Sequence, residues 1–211
     1  MRDWSRRSAA AFVTACLLCL AAPAGAADGG APIARVIQQD GSVAVQRGGE
    51  SLDSHLGRLL FAGDRVVTPS DGRVLIEFPD RSRLSLGADT QVVLDEYSLA
   101  PGSGRLKGFL SLLAGILRMS IVHSTRADDF GIRTQTAIAS VRSTDWIVEA
   151  GAGDTQVFVV SGVVRVSDSN GGGAVELAAG EGTSVKAGAA PRPASVWGPA
   201  RATDVLKRTE P

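Results

Sequence analysis

The chain has 211 residues, with Lys+Arg 22 balanced by Asp+Glu 22, 25 glycines, two histidines and two cysteines. A formal net charge of zero leaves no overall basic bias, which argues against a nucleic-acid partner. The length suits one domain with a real core. Abundant glycine without a collagen period, beside 44% hydrophobic residues, describes short strands joined by glycine turns rather than a disordered chain.

Residues 1–26 have the layout of a secretory signal peptide. Arg2, Arg6 and Arg7 give a positive start, residues 9–22 are apolar, and Ala24-Gly25-Ala26 is a small-residue cleavage site. The apolar run is short for a membrane-spanning helix, which needs about 20 residues. The expectation is export to the periplasm, cleavage after Ala26, and a mature chain without a transmembrane anchor. Cleavage removes Arg2, Arg6, Arg7 and Asp3, lowering 22 basic residues to 19 and 22 acidic residues to 21, a formal charge of −2. Cys16 and Cys19 leave with the same segment, so neither disulfides nor thiolate metal sites are expected in the mature chain.

Residues 27–33 form a short small-residue linker. Residues 34–36 and 42–46 read as a hairpin turned by Asp40-Gly41. Residues 52–60 carry leucines at a weak helical or loop spacing. Strands follow at 65–68, 73–78, 83–86 and 90–96, punctuated by Ser70-Asp71-Gly72, Pro79-Asp80-Arg81-Ser82 and Gly87-Ala88-Asp89. Residues 109–121 are ambiguous. Ala114-Gly115 at their centre, followed by alternation, favours two strands and a turn. Strands resume at 155–160, 163–167, 174–177 and 183–186. The fold class is therefore all-β, a single domain at 34–187 of sandwich-like or β-solenoid-like form. Residues 188–211 form an Ala/Pro-rich C-terminal tail, with a helical turn at 201–207.

The most informative stretch is 132–149. Val141, Arg142, Trp146, Ile147 and Val148 suit a pleated surface, and Ser143-Thr144-Asp145 between them holds a tight corner. Arg142 and Asp145 flank that corner, placed to pair across it. The corner is either a charged structural turn, with Trp146 packed inward as a core anchor, or a docking surface. The ordered pattern of Arg133, Thr134, Thr136, Val141, Arg142, Thr144, Asp145 and Trp146 resembles the signature of FecR-type periplasmic domains, whose corner usually reads Arg-Gly-Thr-Asp-Phe or Arg-Gly-Thr-Glu-Phe. Here Ser143 replaces the usual Gly and Trp146 the usual Phe. The resemblance extends upstream through Gly63-Asp64, Gly72-Arg73-Val74 and 78–87, where the family turn is often Pro-Asp-Gly-Ser. Downstream it runs through 159–166 and 179–182.

The residues assemble no catalytic constellation. His55 and His123 lack metal-ligand spacing, no serine sits in a nucleophile elbow, and no phosphate-cradling or calcium loop is present. The expectation is a non-catalytic module without a cofactor. The resemblance implies a sensing or protein-interaction role in envelope signalling, with an envelope protein as partner. Classical members join a cytoplasmic anti-sigma segment to this domain through one membrane helix, and the chain departs from that plan at its signal-like start. The alternative is a cell-wall or polysaccharide-associated scaffold with a glycan partner.

Overall fold

In the computed structural model, residues 30–100, 103, 105–122, 126–141 and 144–210 are described, with the backbone alone given for 126–129. In chain order the strands are β1 (Ala34–Asp40), β2 (Ala44–Arg47), β3 (Glu50–Asp53), β4 (Leu59–Leu60), β5 (Arg65–Thr68) and β6 (Arg73–Glu77). There follow β7 (Arg83–Leu86), β8 (Thr90–Ala100), β9 (Arg105–Ser120), β10 (Arg126–Arg133), β11 (Ala137–Val141) and β12 (Asp145–Ala150). The last are β13 (Asp154–Ser161), β14 (Val163–Asp168), β15 (Ala174–Ala178), β16 (Glu181–Lys186) and β17 (Ser195–Val196), then the helix α1 (Pro199–Arg208).

The strands pair as two sheets. The first runs β4-β1-β6-β7-β9-β12-β13-β16-β17. The second runs β3-β2-β5-β8-β9-β10-β11-β14-β15. Among the described residues only β9–β10 is parallel. From β10 onward the chain lays hairpins alternately on the two sheets: β10–β11, β12–β13, β14–β15, β16–β17. Strand residues alternate between buried and partly or fully exposed, as in β6 and β14, because successive side chains point to opposite faces. The inward residues of both sheets merge into one hydrophobic cluster, including Val36, Ile76, Leu117 and Val148 from the first and Val66, Leu110, Ile132 and Val166 from the second. Each such side chain contributes roughly 1.5–3 kcal/mol on burial.

Two expectations change. Asp40-Gly41 does not turn a hairpin: β1 pairs with β4 and β6, β2 with β3 and β5. Gly41, at φ 65°, instead carries the chain from one sheet to the other. Residues 109–121 are not two strands and a turn: all but Ile121 belong to the continuous β9. Up to Ala114 this strand pairs with β8, and from Gly115 onward with β12 and β7. Gly115 has φ 89°, and a Cβ there would lie 2.5 Å from the Asp89 carbonyl oxygen, so only glycine makes the crossing without strain. Of the helix or loop read at 52–60, the loop stands at 54–58, between β3 and β4.

The stretch expected to be a tail packs on the outer face of the first sheet. Trp197 and Val205 form a second hydrophobic cluster with Ile116, Ile147 and Phe158. Pro199 opens α1 at its first turn, where a missing N–H costs nothing. Lys207 and Arg208 close it, suiting the negative end of the helix dipole. Arg208 pairs with Glu149, Arg73 donates to the carbonyls of Lys207 and Glu210, and Ser85 Oγ donates to the Thr209 carbonyl.

Candidate functional site

The signature residues sit on β10, β11 and β12 and the turns between them. Thr134 and Thr136 are buried at the β10–β11 turn. Each hydroxyl lies 2.7 Å from the buried Thr155 hydroxyl on β13. Thr134 Oγ1 accepts the N–H groups of Thr136 and Ala137, and Thr136 Oγ1 donates to the Val185 carbonyl on β16 at 3.2 Å. One consistent proton order runs from Thr134 to Thr155, on to Thr136, and ends at Val185. The two threonines therefore tie a turn of the second sheet to strands of the first, and satisfy polar groups whose burial would otherwise cost about 1–3 kcal/mol each.

Val141 packs inward opposite Phe130 and Val164. Arg133 faces outward, its guanidinium 5.3 Å from the centre of the Phe109 ring. Arg142 and Ser143 lie outside the described residues. Thr144 is buried; its hydroxyl donates to the Val163 carbonyl at 3.4 Å and its carbonyl accepts the Ile121 N–H at 3.0 Å. Asp145 is gripped by Arg118 of β9, a partner the sequence did not indicate. The Arg118 pKa is raised above its ordinary value, first by these hydrogen bonds. Trp146 is fully buried, edge-on to Phe130 at 6.2 Å between ring centres. Its Nε1 has no hydrogen-bond partner.

Three further arrangements were missed. Phe78, Tyr97, Phe130 and Trp146 form a continuous aromatic row through the core. Tyr97 donates to Asp80 at 2.7 Å, and burial pushes its phenol well above the ordinary range. Asp64, whose side chain is wholly buried, is held bidentately by Arg47 at 2.7 Å and accepts the Phe61 N–H. A Gly-Asp pair was legible in the sequence, but no local spacing points from Asp64 back to Arg47.

The indoles bear on the glycan alternative. Trp146 is enclosed in the core, and Trp197 is stacked on Phe158 at 4.9 Å with the Arg201 guanidinium 3.5 Å from its ring centre. Neither offers an open face for a sugar ring. Among the described residues no group of three His, Cys, Asp or Glu side chains is placed to hold a metal, and no helix is long and apolar enough to cross a membrane. A cleft of about 320 Å³ lies beside Pro32, Leu59, Phe78 and Arg81. A second, of about 260 Å³, lies beside Leu75, Arg83, Arg118 and Glu210.

This geometry defines an all-β, two-sheet module whose signature residues mostly hold one sheet to the other. Residues 64–165 match the family model described as FecR protein, and this part of the chain is a FecR domain. The match begins at the buried Asp64 and ends on β14. Two crystal structures of a candidate anti-sigma factor from Parabacteroides distasonis ATCC 8503, at 1.65 Å and 2.50 Å, share the fold with a TM-score of 0.52 and 17% identity. They cover 67% of this chain and 64% and 63% of theirs, so this chain spans a little under two thirds of their length. No curated protein matches the chain.

Proposed function

We propose that this protein is an exported, periplasmic FecR module that senses or transmits an envelope signal by binding another protein, without catalysing a reaction. The observation that carries this reading is the FecR match at 64–165 on a fold shared with a candidate anti-sigma factor. The signal-like residues 1–26 supply the export part of the proposal. The packing of Thr134, Thr136, Thr144 and Trp146 supports it indirectly. With these side chains engaged in holding the sheets, recognition falls to the outward faces of the strands and to the loops.

The test is a deletion strain complemented in two ways, with the whole chain and with a version lacking residues 1–26. A defined set of envelope-response transcripts should change on deletion and be restored by the whole chain alone. An unchanged transcript profile, or equal rescue by the leaderless version, overturns the proposal. N-terminal sequencing of the exported protein should begin at Ala27.

A further inference from the structure

We propose that Asn170, at the tip of the hairpin joining β14 to β15, is a site of spontaneous deamidation that plants a second carboxylate beside the buried Asp168. Asn170 is the chain's only asparagine, and Gly171, Gly172 and Gly173 follow it. The reaction is intramolecular. The Gly171 backbone nitrogen attacks the side-chain carbonyl carbon of Asn170, and the new C–N bond closes a cyclic imide. The bond from that carbon to the side-chain nitrogen breaks. The nitrogen departs as ammonia, taking the proton that Gly171 gives up. Water then opens the imide at either carbonyl, leaving aspartate or, chiefly, isoaspartate. Nothing is oxidised or reduced, and water is the only co-reactant.

Both reacting groups stand free. Ser169, Asn170, Gly171 and Gly172 are all exposed. Of Asn170 only the backbone N–H is held, by Asp168 Oδ1 at 2.8 Å; its side-chain amide makes no hydrogen bond among the described residues. The Gly171 N–H reaches the Asp168 carbonyl at 3.3 Å, beyond the usual span of about 2.7–3.2 Å. Nothing lies within 4 Å of the place a Cβ would take on Gly171, so neither a side chain of its own nor a neighbour screens the attacking nitrogen. The adjoining glycines let the backbone swing toward the amide without strain.

The Asp-Gly pairs of the described residues mark the contrast. Asp40-Gly41 and Asp71-Gly72 have the atoms to close the same ring. A Cβ on Gly41 would strike the Asp71 backbone, however, and one on Gly72 the Ser42 carbonyl. Their backbones are wedged together, whereas the tip at Gly171 is open.

The product changes the ground beneath the tip. Asp168 is 6% exposed, and its Oδ2 has no hydrogen-bond partner. That oxygen would lie 3.1 Å from a Cβ on Gly172. A carboxylate at position 170 therefore meets a like charge in a partly desolvated place. Isoaspartate also adds a backbone carbon inside the turn that the Gly171 N–H closes onto Asp168.

The tryptic peptide 166–186 holds Asn170 and no glutamine, so any deamidation it records belongs to this residue. The native protein, aged in mildly alkaline buffer, should yield that peptide in aspartate and isoaspartate forms and focus as a more acidic isoform. The reaction should slow in mild acid, where the Gly171 nitrogen keeps its proton. A loop tip that opens at almost no cost should react within about tenfold of the rate in the urea-denatured chain. Asn170→Ser should leave the peptide unchanged on ageing, with the melting temperature of the fresh protein. A native peptide that stays intact overturns the proposal, whether or not the denatured chain reacts. Conversion to aspartate without isoaspartate also overturns it, because water would then have attacked the amide directly.

Discussion

Arg118 holds Asp145 through two parallel hydrogen bonds, Nε to Oδ1 at 2.8 Å and Nη2 to Oδ2 at 2.7 Å. The residues are diagonal neighbours on β9 and β12, with Asp145 opposite Ser120 and Ile147 opposite Arg118. Their side chains are 28% and 17% exposed, so the pair is more shielded than an ordinary surface bridge. Arg118→Ala and Asp145→Ala should each cost about 1–2 kcal/mol, between an exposed pair and a charged hydrogen bond in the interior. A double-mutant cycle by denaturant unfolding should show clear coupling, and additive losses would mean the bridge is inert.

Trp146, next in sequence, answers to a different force. It is fully buried against Phe130, so Trp146→Ala removes transfer energy and leaves a cavity, at roughly 3–5 kcal/mol. Thermal unfolding should therefore rank Trp146→Ala well below Asp145→Ala in stability. Near-equal melting temperatures would contradict the core assignment.

Thr155 is the hub of the threonine network. Thr155→Val keeps the shape but takes a partner from both Thr134 and Thr136, which are buried. The expected loss is about 1–3 kcal/mol. Replacing Thr134, Thr136 and Thr155 together by Val should cost less than the three single losses added, which unfolding of the four variants measures.

Glu77 sets an acid-side dependence. Its carboxyl is held below the usual range, first by the hydrogen bond from Arg35 at 2.8 Å. A carboxyl lower in the folded than in the unfolded state stabilises above its unfolded value, near ~4.3. It loses that contribution as pH falls through its folded value. Glu77→Gln should therefore lower stability at neutral pH, by no more than about 1 kcal/mol because Arg35 is largely exposed. The two proteins should converge in strong acid. A gap that widens on acidification would reverse the sign.

Arg81 sits at φ 69° in the turn before β7, a conformation that costs a non-glycine residue roughly 1–2 kcal/mol. Arg81→Gly should raise stability by up to about 1 kcal/mol once the entropy of the unfolded glycine is deducted, and a lowered melting temperature would count against the turn geometry.

The strands were legible where one face meets the core and the other meets water. Residues 65–68 and 73–77 alternate and appear as β5 and β6. Legibility failed where both faces are covered. Leu117 points into the core while its neighbour Ile116 lies under the C-terminal cluster, which blurs the alternation of β9. Trp146, Ile147 and Val148 are all buried for the same reason. At Asp40-Gly41 the turn residues were readable, but they do not say which sheet receives the next strand. In the corner, Trp146 could be placed inside from its size and neighbours. Arg118 and Thr155 could not be found, because each reaches its partner across a tertiary contact, 27 and 21 residues away respectively.

The course of β9 has a mechanical consequence. Residues 105–114 belong to one layer and 115–120 to the other, so a force that pries the layers apart is borne by peptide bonds rather than by a hydrogen-bonded seam. The layers cannot swing open like covers around this central strand. They can only fray from their rims, at β3 and β4 on one side and β15 and β17 on the other.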